Sequence, residues 1–543
     1  MQGEYRKPVG LKFKDKIGTD FFPVIATMLH KCGVSWNRIG KSFVRSRTLI
    51  AQGKSVSKTL LPVENNEKLN IYFLTILGGF SLNVAVDIVL GFGLKQLGHE
   101  VTMVLNDQVL PITDEKRNTN KNRWDEITSK SYYYGLKCFL ACGFKVITIS
   151  QLVDLHKERE IEEFKPLVES TLLKHYRVGM ITDDLNDLPE RKKMVEDTVR
   201  ISALLGDYLL TKKPDRIIMS HGLYATWGPQ FEILKNAGIP VLVYGKTNKK
   251  KTEKFNWNQT ADWWDVSREW ERVKDIPLNE KQKNELDRYL KTRITHSEDE
   301  LIYNFGKLET RQETIKRFGL DPDKKTFSLF TNVLWDAAST QRKIAFDNPV
   351  EWVIETINWF RDKTDKQLIV KIHPAEVVIG TNQPFAKIIR DKIQEIPGNV
   401  HIIEPSEKVN SWSIYEVSDV GIVHTTTAGM ELVLVGVPCI VVSQTHYRGK
   451  GFTLDIKSRE EYFDLMENID PGKINKDLQK TLAKRYLYLL FIRYQIPFDV
   501  FEETSWTDVR SFTFNNIEEL FQKPYFNHII QSIINKGEFL TEA

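Results

Sequence analysis

Residues 423–442 read VHTTTAGMELVLVGVPCIVV, and their reading decides the fold. Three threonines and a glycine stand between two apolar runs, with one glutamate inside otherwise apolar sequence. The preceding VSDVGIVH has the pattern of a strand, and AGMELVLVG has helical character, closed by Gly436 and Pro438. Thr425, Thr426 and Thr427 therefore fall at the strand-to-helix turn and the helix cap. Such an end presents free backbone N–H groups and a partial positive charge, a natural seat for phosphate. Small hydroxyl side chains add donors without blocking the approach. Glu431 lies about one turn into the helix, from where a carboxylate can take both hydroxyls of a ribose. The plainer alternative is a threonine N-cap followed by a solvent-facing glutamate.

Working outward, the same alternation fills residues 320–458. KKTFSLFTNVLWDA, a helical PVEWVIETINWFRDK, KQLIVKIHPAE, NVHIIEP and the loop SQTHYRGKGFTLD complete a Rossmann-like domain around the opening stretch. A second series starts at LNIYFLTILGGF (69–80), where a glycine turn leads through SLNVAVDIVLGFGLKQLG to HEVTMVL. It continues with CGFKVITIS, PDRIIMSHGLYATWGPQ and AGIPVLVYG. Gly91 and Gly93 fall inside the helix, so they are no dinucleotide fingerprint. The expected fold class is α/β, with two Rossmann-like doubly wound domains facing a cleft. The first domain and its helical connection occupy 67–300 and the second 320–458. An extension, 1–66, precedes them, and a mainly helical region, 459–543, follows. RFGLDPDKK, with its glycine and proline, reads as the linker, and its DPD as a solvated turn rather than a cation site.

Composition narrows the function. With 41% hydrophobic and 27% charged residues over 543 positions, the chain is that of a soluble globular protein. A net charge of +4 argues against nucleic acid as a partner. Cys32, Cys138, Cys142 and Cys439 are too few and scattered for a disulfide framework or a metal site. The start of the chain is polar rather than signal-like, and the apolar runs of about ten residues are short of a membrane span. A cytoplasmic protein is expected. Residues 21–50 mix apolar and basic positions, as in a helix lying on a membrane surface, although packing on the protein body is the favoured reading. KTNKKKTEK (246–254) reads first as a solvated loop, with contact to an anionic glycan or lipid phosphate as the alternative.

Further polar clusters follow predicted strands. In KIHPAE (371–376), His373 and Pro374 end a strand abruptly, so the imidazole is set at its lip, with Glu376 beside it. There His373 can donate to a phosphate oxygen or protonate a leaving group. HYRGKGFTLD (446–455) offers Tyr447, Arg448 and Lys450 to close over a ligand, and Asp336 stands just past the strand of NVLWDA. In the first domain, Gly78-Gly79 allows backbone to approach an acceptor closely. His221, after RIIMS, is the candidate base, with Asp183 and Asp184 as the alternative pair.

The order of these elements resembles the capsule polysaccharide biosynthesis family of glycosyltransferases, whose fold is GT-B. His373-Pro374 is similar to the family's HP motif. Thr425–Thr427 with Gly429, Glu431 and Gly436-Val437-Pro438 is similar to its hydroxyl turn, and Tyr447, Gly449, Gly451, Thr453 and Asp455 to its closing pattern. The resemblance implies a nucleotide-sugar substrate, with a CMP-sugar such as CMP-Kdo favoured and a UDP-sugar admitted. It implies neither metal nor cofactor, a glycan or lipid-linked glycan as acceptor, and work in the cytoplasm or at the inner face of the membrane. His373, His221 and Asp336 are the catalytic candidates. The donor site would comprise Thr425, Thr426, Thr427, Gly429, Glu431, Pro374, Glu376, Tyr447 and Lys450, with Gly78 and Gly79 on the acceptor side. Where serine-threonine pairs are common in the family, this chain has His424-Thr-Thr-Thr. A CDP-polyol phosphotransferase of the teichoic-acid type and a non-catalytic capsule assembly or export protein are the rival readings.

Overall fold

The computed structural model describes residues 38–113, 132–300, 306–337, 340, 342–505 and 508–541. In the second lobe six short apolar segments form a wholly parallel sheet: β7 (Lys325–Phe330), β8 (Lys366–Lys371), β9 (Val400–Ile403), β10 (Val420–Val423), β11 (Cys439–Val441) and β12 (Leu454–Asp455). Helices cover both faces, so the central strands bury every residue, which is why they read as continuous apolar runs. The spatial order is β12-β11-β10-β7-β8-β9. The chain winds one way from β7 and the other way from β10, so a crevice opens beyond the carboxyl ends of those two neighbours.

The first lobe repeats the plan. Strands β1 (Asn70–Leu74), β2 (Glu100–Leu105), β3 (Lys145–Thr148), β4 (Arg216–Ser220) and β5 (Val241–Lys246) are parallel, in the order β3-β2-β1-β4-β5. The fold is thus α/β with two Rossmann-like doubly wound sheets. An antiparallel β6 (Thr252–Trp257) extends the first sheet. The lysine-rich 246–254 segment is therefore the end and turn of a β-hairpin, not a solvated loop. Lys246 is ion-paired with Glu503, and Lys254 is buried.

Glu503 belongs to the tail, which is less helical than expected. β13 (Ile496–Pro497) adds to the first sheet beside β6, and β14 (Phe501–Ser505) pairs with β15 (Asp508–Phe512). The last helix, Phe526–Asn535, packs on the helix Ser81–Gln96. A Cβ on Gly93 would lie 2.6 Å from Ile530, so that helical glycine makes room for the tail. The guanidinium of Arg216 donates to the carbonyls of Ile533 and Ile534, 3.1 and 2.7 Å away. The chain thus returns from the second lobe to lock onto the first.

The helix Arg38–Ser57 contacts β15 and the helix Tyr132–Ala141, with Leu49 and Val56 in the first-lobe core. This part of the amphipathic stretch packs on the protein body, and residues 21–37 lie outside the described residues. Cys138, Cys142 and Cys439 are buried free thiols. Among the described residues no helix is long and apolar enough to cross a membrane.

Candidate active site

A cavity of about 280 Å³ occupies the crevice of the second sheet. Its floor is the turn after β10, where Thr426, Thr427 and Ala428 line the space and the helix Ala428–Leu434 begins. Thr427 is the N-cap residue yet makes no side-chain cap bond, so its hydroxyl is not spent on the helix as the plainer reading required. Thr425 is turned to a structural task. Its Oγ1 accepts from Asn332 Nδ2 at 2.9 Å and its N–H donates to Asn332 Oδ1 at 3.3 Å, which ties the ends of β10 and β7 together. Gly429 is fixed by its neighbour, since a Cβ there would lie 2.7 Å from the Tyr447 hydroxyl. That hydroxyl donates to the Thr426 carbonyl at 2.7 Å. Tyr447 is therefore a buried pillar under the turn and not a residue closing over a ligand. Lys450 points elsewhere: its ammonium lies 2.6 Å from Ser267 Oγ, and it lines neither cavity.

His373 follows β8 at the cavity's edge. Its N–H donates to Thr331 Oγ1 at 3.0 Å, and its Nδ1 accepts from the Ala375 N–H at 3.1 Å. An accepting Nδ1 leaves the proton of the neutral ring on Nε2. Burial, and then the Lys371 ammonium, push its pKa down to about 4. The ring is thus a neutral N–H donor near pH 7, suited to a phosphate oxygen and not to proton transfer as an imidazolium. Pro374 lines the same cavity. Glu376 does not: it turns into the lobe, accepts from the Phe385 N–H at 3.1 Å, and burial raises its pKa to about 7.

Glu431 lines the cavity but is 6% exposed, its carboxylate largely taken up by protein partners. Its Oε1 accepts from Arg293 Nε and Nη2 at 3.1 and 2.8 Å, and its Oε2 from the Tyr415 hydroxyl at 2.9 Å. Arg293, on the connecting helix Glu280–Thr295, also donates to both oxygens of Asp299 at 3.2 Å. Asp299 in turn holds His296 Nδ1 at 2.6 Å. Lys371, at the end of β8, donates to the Val409 carbonyl and Ser411 Oγ at 2.9 and 2.7 Å, and burial lowers its pKa to about 8. Arg293, His296, Asp299 and Lys371 all line the cavity and were missed from sequence. Only Lys371 carried a signal, a lysine within the apolar QLIVKIH run.

A second cavity, of about 470 Å³, lies between the lobes, and His373 borders both. From the first lobe it is lined by His221, Tyr244, Glu253 and Lys254, and from the second by Asn332, Trp335 and Asp336. The three catalytic candidates, His373, His221 and Asp336, therefore share one space. His221 has a left-handed backbone, φ 68°. Its Nδ1 is 2.6 Å from Ser220 Oγ and its ring stacks on Trp227. Lys254 donates to the Ala261 carbonyl with its Nζ 3.8 Å from the Trp264 ring centre, and burial pushes its pKa down to about 7. An ion pair between Asp262 and Arg342 crosses the cleft.

Gly78 and Gly79 are not part of that lining. The Gly78 carbonyl accepts from the Gly135 N–H at 2.9 Å, and a Cβ on Gly135 would lie 2.9 Å from Gly78 Cα, so what approaches Gly78 closely is a helix. Asp183 and Asp184 are exposed and line neither cavity. Among the described residues no group of three or more His, Cys, Asp or Glu side chains could hold a metal ion.

Comparison with known proteins gives a partial match over the second lobe. The profile of a family described as "Capsule polysaccharide biosynthesis protein" matches residues 277–495, well under half of the chain. The match begins near the helix carrying Arg293 and runs through His373, the threonine turn and Tyr447. A search of curated proteins finds no match. Among solved structures, the β-Kdo 2,4-transferase KpsC of Thermosulfurimonas dismutans is similar at 15% identity and a TM-score of 0.33, over 50% of this chain and 79% of that one. The UDP-GlcNAc 2-epimerase of Neisseria meningitidis is similar at 13% identity and a TM-score of 0.25, over 78% of this chain and 99% of that one. At these scores the fold assignment rests on the strand orders above. Residues 277–495 are similar in sequence to capsule polysaccharide biosynthesis proteins.

Proposed function

We propose that the protein is a glycosyltransferase that moves a sugar from a nucleotide-sugar, a CMP-sugar first and a UDP-sugar second, to a surface or capsular polysaccharide acceptor on the cytoplasmic side. The observation that carries this reading is that His373 borders both cavities, one at the crevice of the second sheet and one between the lobes. A group that donates to the phosphate of a donor in the first cavity would stand beside an acceptor in the second. The nucleotide phosphate is seated on the turn of Thr426 and Thr427, and the neutral His373 Nε2–H stabilises the charge that develops on the leaving phosphate. Glu431 meets the ribose from within its pair with Arg293, its remaining lone pairs accepting the hydroxyls. The acceptor lies against the aromatic rings of Tyr244 and Trp335, and the lobes exclude water that would hydrolyse the donor.

A donor panel tests the reading. CMP-Kdo, CMP-N-acetylneuraminate, UDP-GlcNAc and CDP-glycerol are incubated with the protein, and nucleotide release and thermal shift are read together. Release of nucleotide from a sugar donor supports glycosyl transfer. Release of CMP from CDP-glycerol alone replaces it with polyol-phosphate transfer. No shift with any of the four makes the protein a non-catalytic partner of capsule assembly.

A further inference from the structure

We propose that Asn248, in the β5–β6 turn of the first lobe, completes the nucleotide site of the second lobe by hydrogen-bonding a ribose hydroxyl, an inference that rests on the glycosyl-transfer reading above. The cavity beyond β7 and β10 is not made by the second lobe alone. Thr247 and Asn248 line it together with the threonine turn and Glu431. The two residues before them, Gly245 and Lys246, line the inter-lobe cavity instead. The end of β5 therefore runs from one cavity to the other, and the first lobe supplies a wall of the second lobe's site. Ligand sites are commonly completed in this way where two domains meet.

The turn is held in place by groups other than the Asn248 side chain. The Asn248 carbonyl accepts from the Glu300 N–H at 2.7 Å, and the Lys250 N–H donates to the Glu298 carbonyl at 3.0 Å. Lys249 forms an antiparallel bridge with Asp299, and its N–H donates to Gln495 Oε1 at 3.0 Å. Inside the turn the Thr247 and Thr252 hydroxyls are bonded to each other, and that of Thr252 donates to the Lys249 carbonyl at 2.7 Å. A separate set of bonds ties the lobes together. The Asn382 N–H donates to the Arg177 carbonyl at 2.9 Å, and Gln383 Oε1 accepts from the Gly179 and Met180 N–H groups at 2.9 and 3.1 Å.

Asn248 itself is half-buried, and its carboxamide makes no hydrogen bond among the described residues. Its polar neighbours in the cavity are largely spent, Arg293 on Glu431 and Asp299, and Lys371 on the Val409 carbonyl and Ser411. The segment that pairs with the turn carries Asp299, which is joined to Glu431 through the Arg293 guanidinium. Asn248 thus stands at the Glu431 end of the cavity, where the ribose is placed. Glu431 already accepts three bonds from Arg293 and Tyr415, so it has little left with which to hold two hydroxyls. A carboxamide both donates and accepts, and can take a hydroxyl in either sense from the opposite wall.

The test is the calorimetric affinity of the full chain for CMP or UDP, as the donor panel selects, and for the 2′-deoxy and 3′-deoxy forms of that nucleotide. Asn248→Ala should bind the parent nucleotide about five- to tenfold more weakly, the worth of one hydrogen bond. With one of the two deoxy forms the substitution should cost less than about twofold, because the hydroxyl that Asn248 bonds is already missing. With the other it should keep its full cost. An equal loss for the parent and both deoxy forms, or no loss for any, overturns the assignment. Since the carboxamide holds no protein group, Asn248→Ala should melt within about 3 °C of the wild type. A larger fall gives the side chain a structural role in the turn and overturns the assignment as well. Absence of nucleotide binding to the wild type would instead sink the underlying glycosyl-transfer reading.

Discussion

Replacing Arg293 with methionine should unfold the second lobe's site more than it empties it. Arg293 is 7% exposed and its guanidinium makes four bonds of 2.8 to 3.2 Å, two to Glu431 and two to Asp299. Methionine keeps most of the volume but strands two buried carboxylates. Breaking a buried pair by removing one partner costs about 3–5 kcal/mol, because the remaining charge is uncompensated. At about 2–4 °C per kcal/mol for a unit of 150–250 residues, the melting temperature should fall by roughly 10 °C. Thermal and urea unfolding followed by tryptophan fluorescence read this directly. Adding Glu431→Gln and Asp299→Asn to Arg293→Met should recover more than half of the loss. If Arg293→Met stays within 1 kcal/mol of wild type at pH 7.5, the carboxylates are solvated and the buried ionic cluster described here is wrong.

Two other substitutions separate architecture from binding. Gly429→Ala puts a methyl 2.7 Å from the Tyr447 hydroxyl, so it should shift the Thr426 carbonyl and weaken nucleotide binding at least tenfold by calorimetry. Leaving Tyr447→Phe added to that variant should restore part of the affinity, because the clashing oxygen is gone. His373, with its pKa held at about 4, should contribute equally to nucleotide affinity from pH 6 to 9. Its stabilising effect on the fold is present above the ordinary histidine value and lost as pH drops through 4. His373→Gln, which keeps an N–H donor, should bind nucleotide more tightly than His373→Ala; equal affinities would remove the hydrogen bond from the account.

Much of the fold was legible because parallel strands buried on both faces leave an unmistakable run of apolar residues, as in QLIVK and VGIV. The threonine turn stood out for the same reason, as polar sequence inside apolar sequence. What sequence hid were partners far along the chain. Glu431 looked available for ribose because Arg293, its partner, is 138 residues away on a polar helix. The lysine run looked solvated because the strand that pairs β6 and the glutamate that pairs Lys246 lie in the tail, 257 residues from Lys246 in the latter case. Tyr447 and Gly429 were each read as ligand-facing, whereas each is shaped to fit the other. Glycine pairs carry the same ambiguity: the close neighbour of Gly78 is Gly135, whose own missing Cβ makes the contact possible.

The most direct test of the central claim is a crystal structure with the nucleotide product bound, CMP or UDP as the donor panel selects. The account predicts its phosphate at the turn Thr426–Ala428, within hydrogen-bond reach of His373 Nε2, and its ribose beside Glu431. A nucleotide seated in the first lobe, or phosphate density away from that turn, would contradict it.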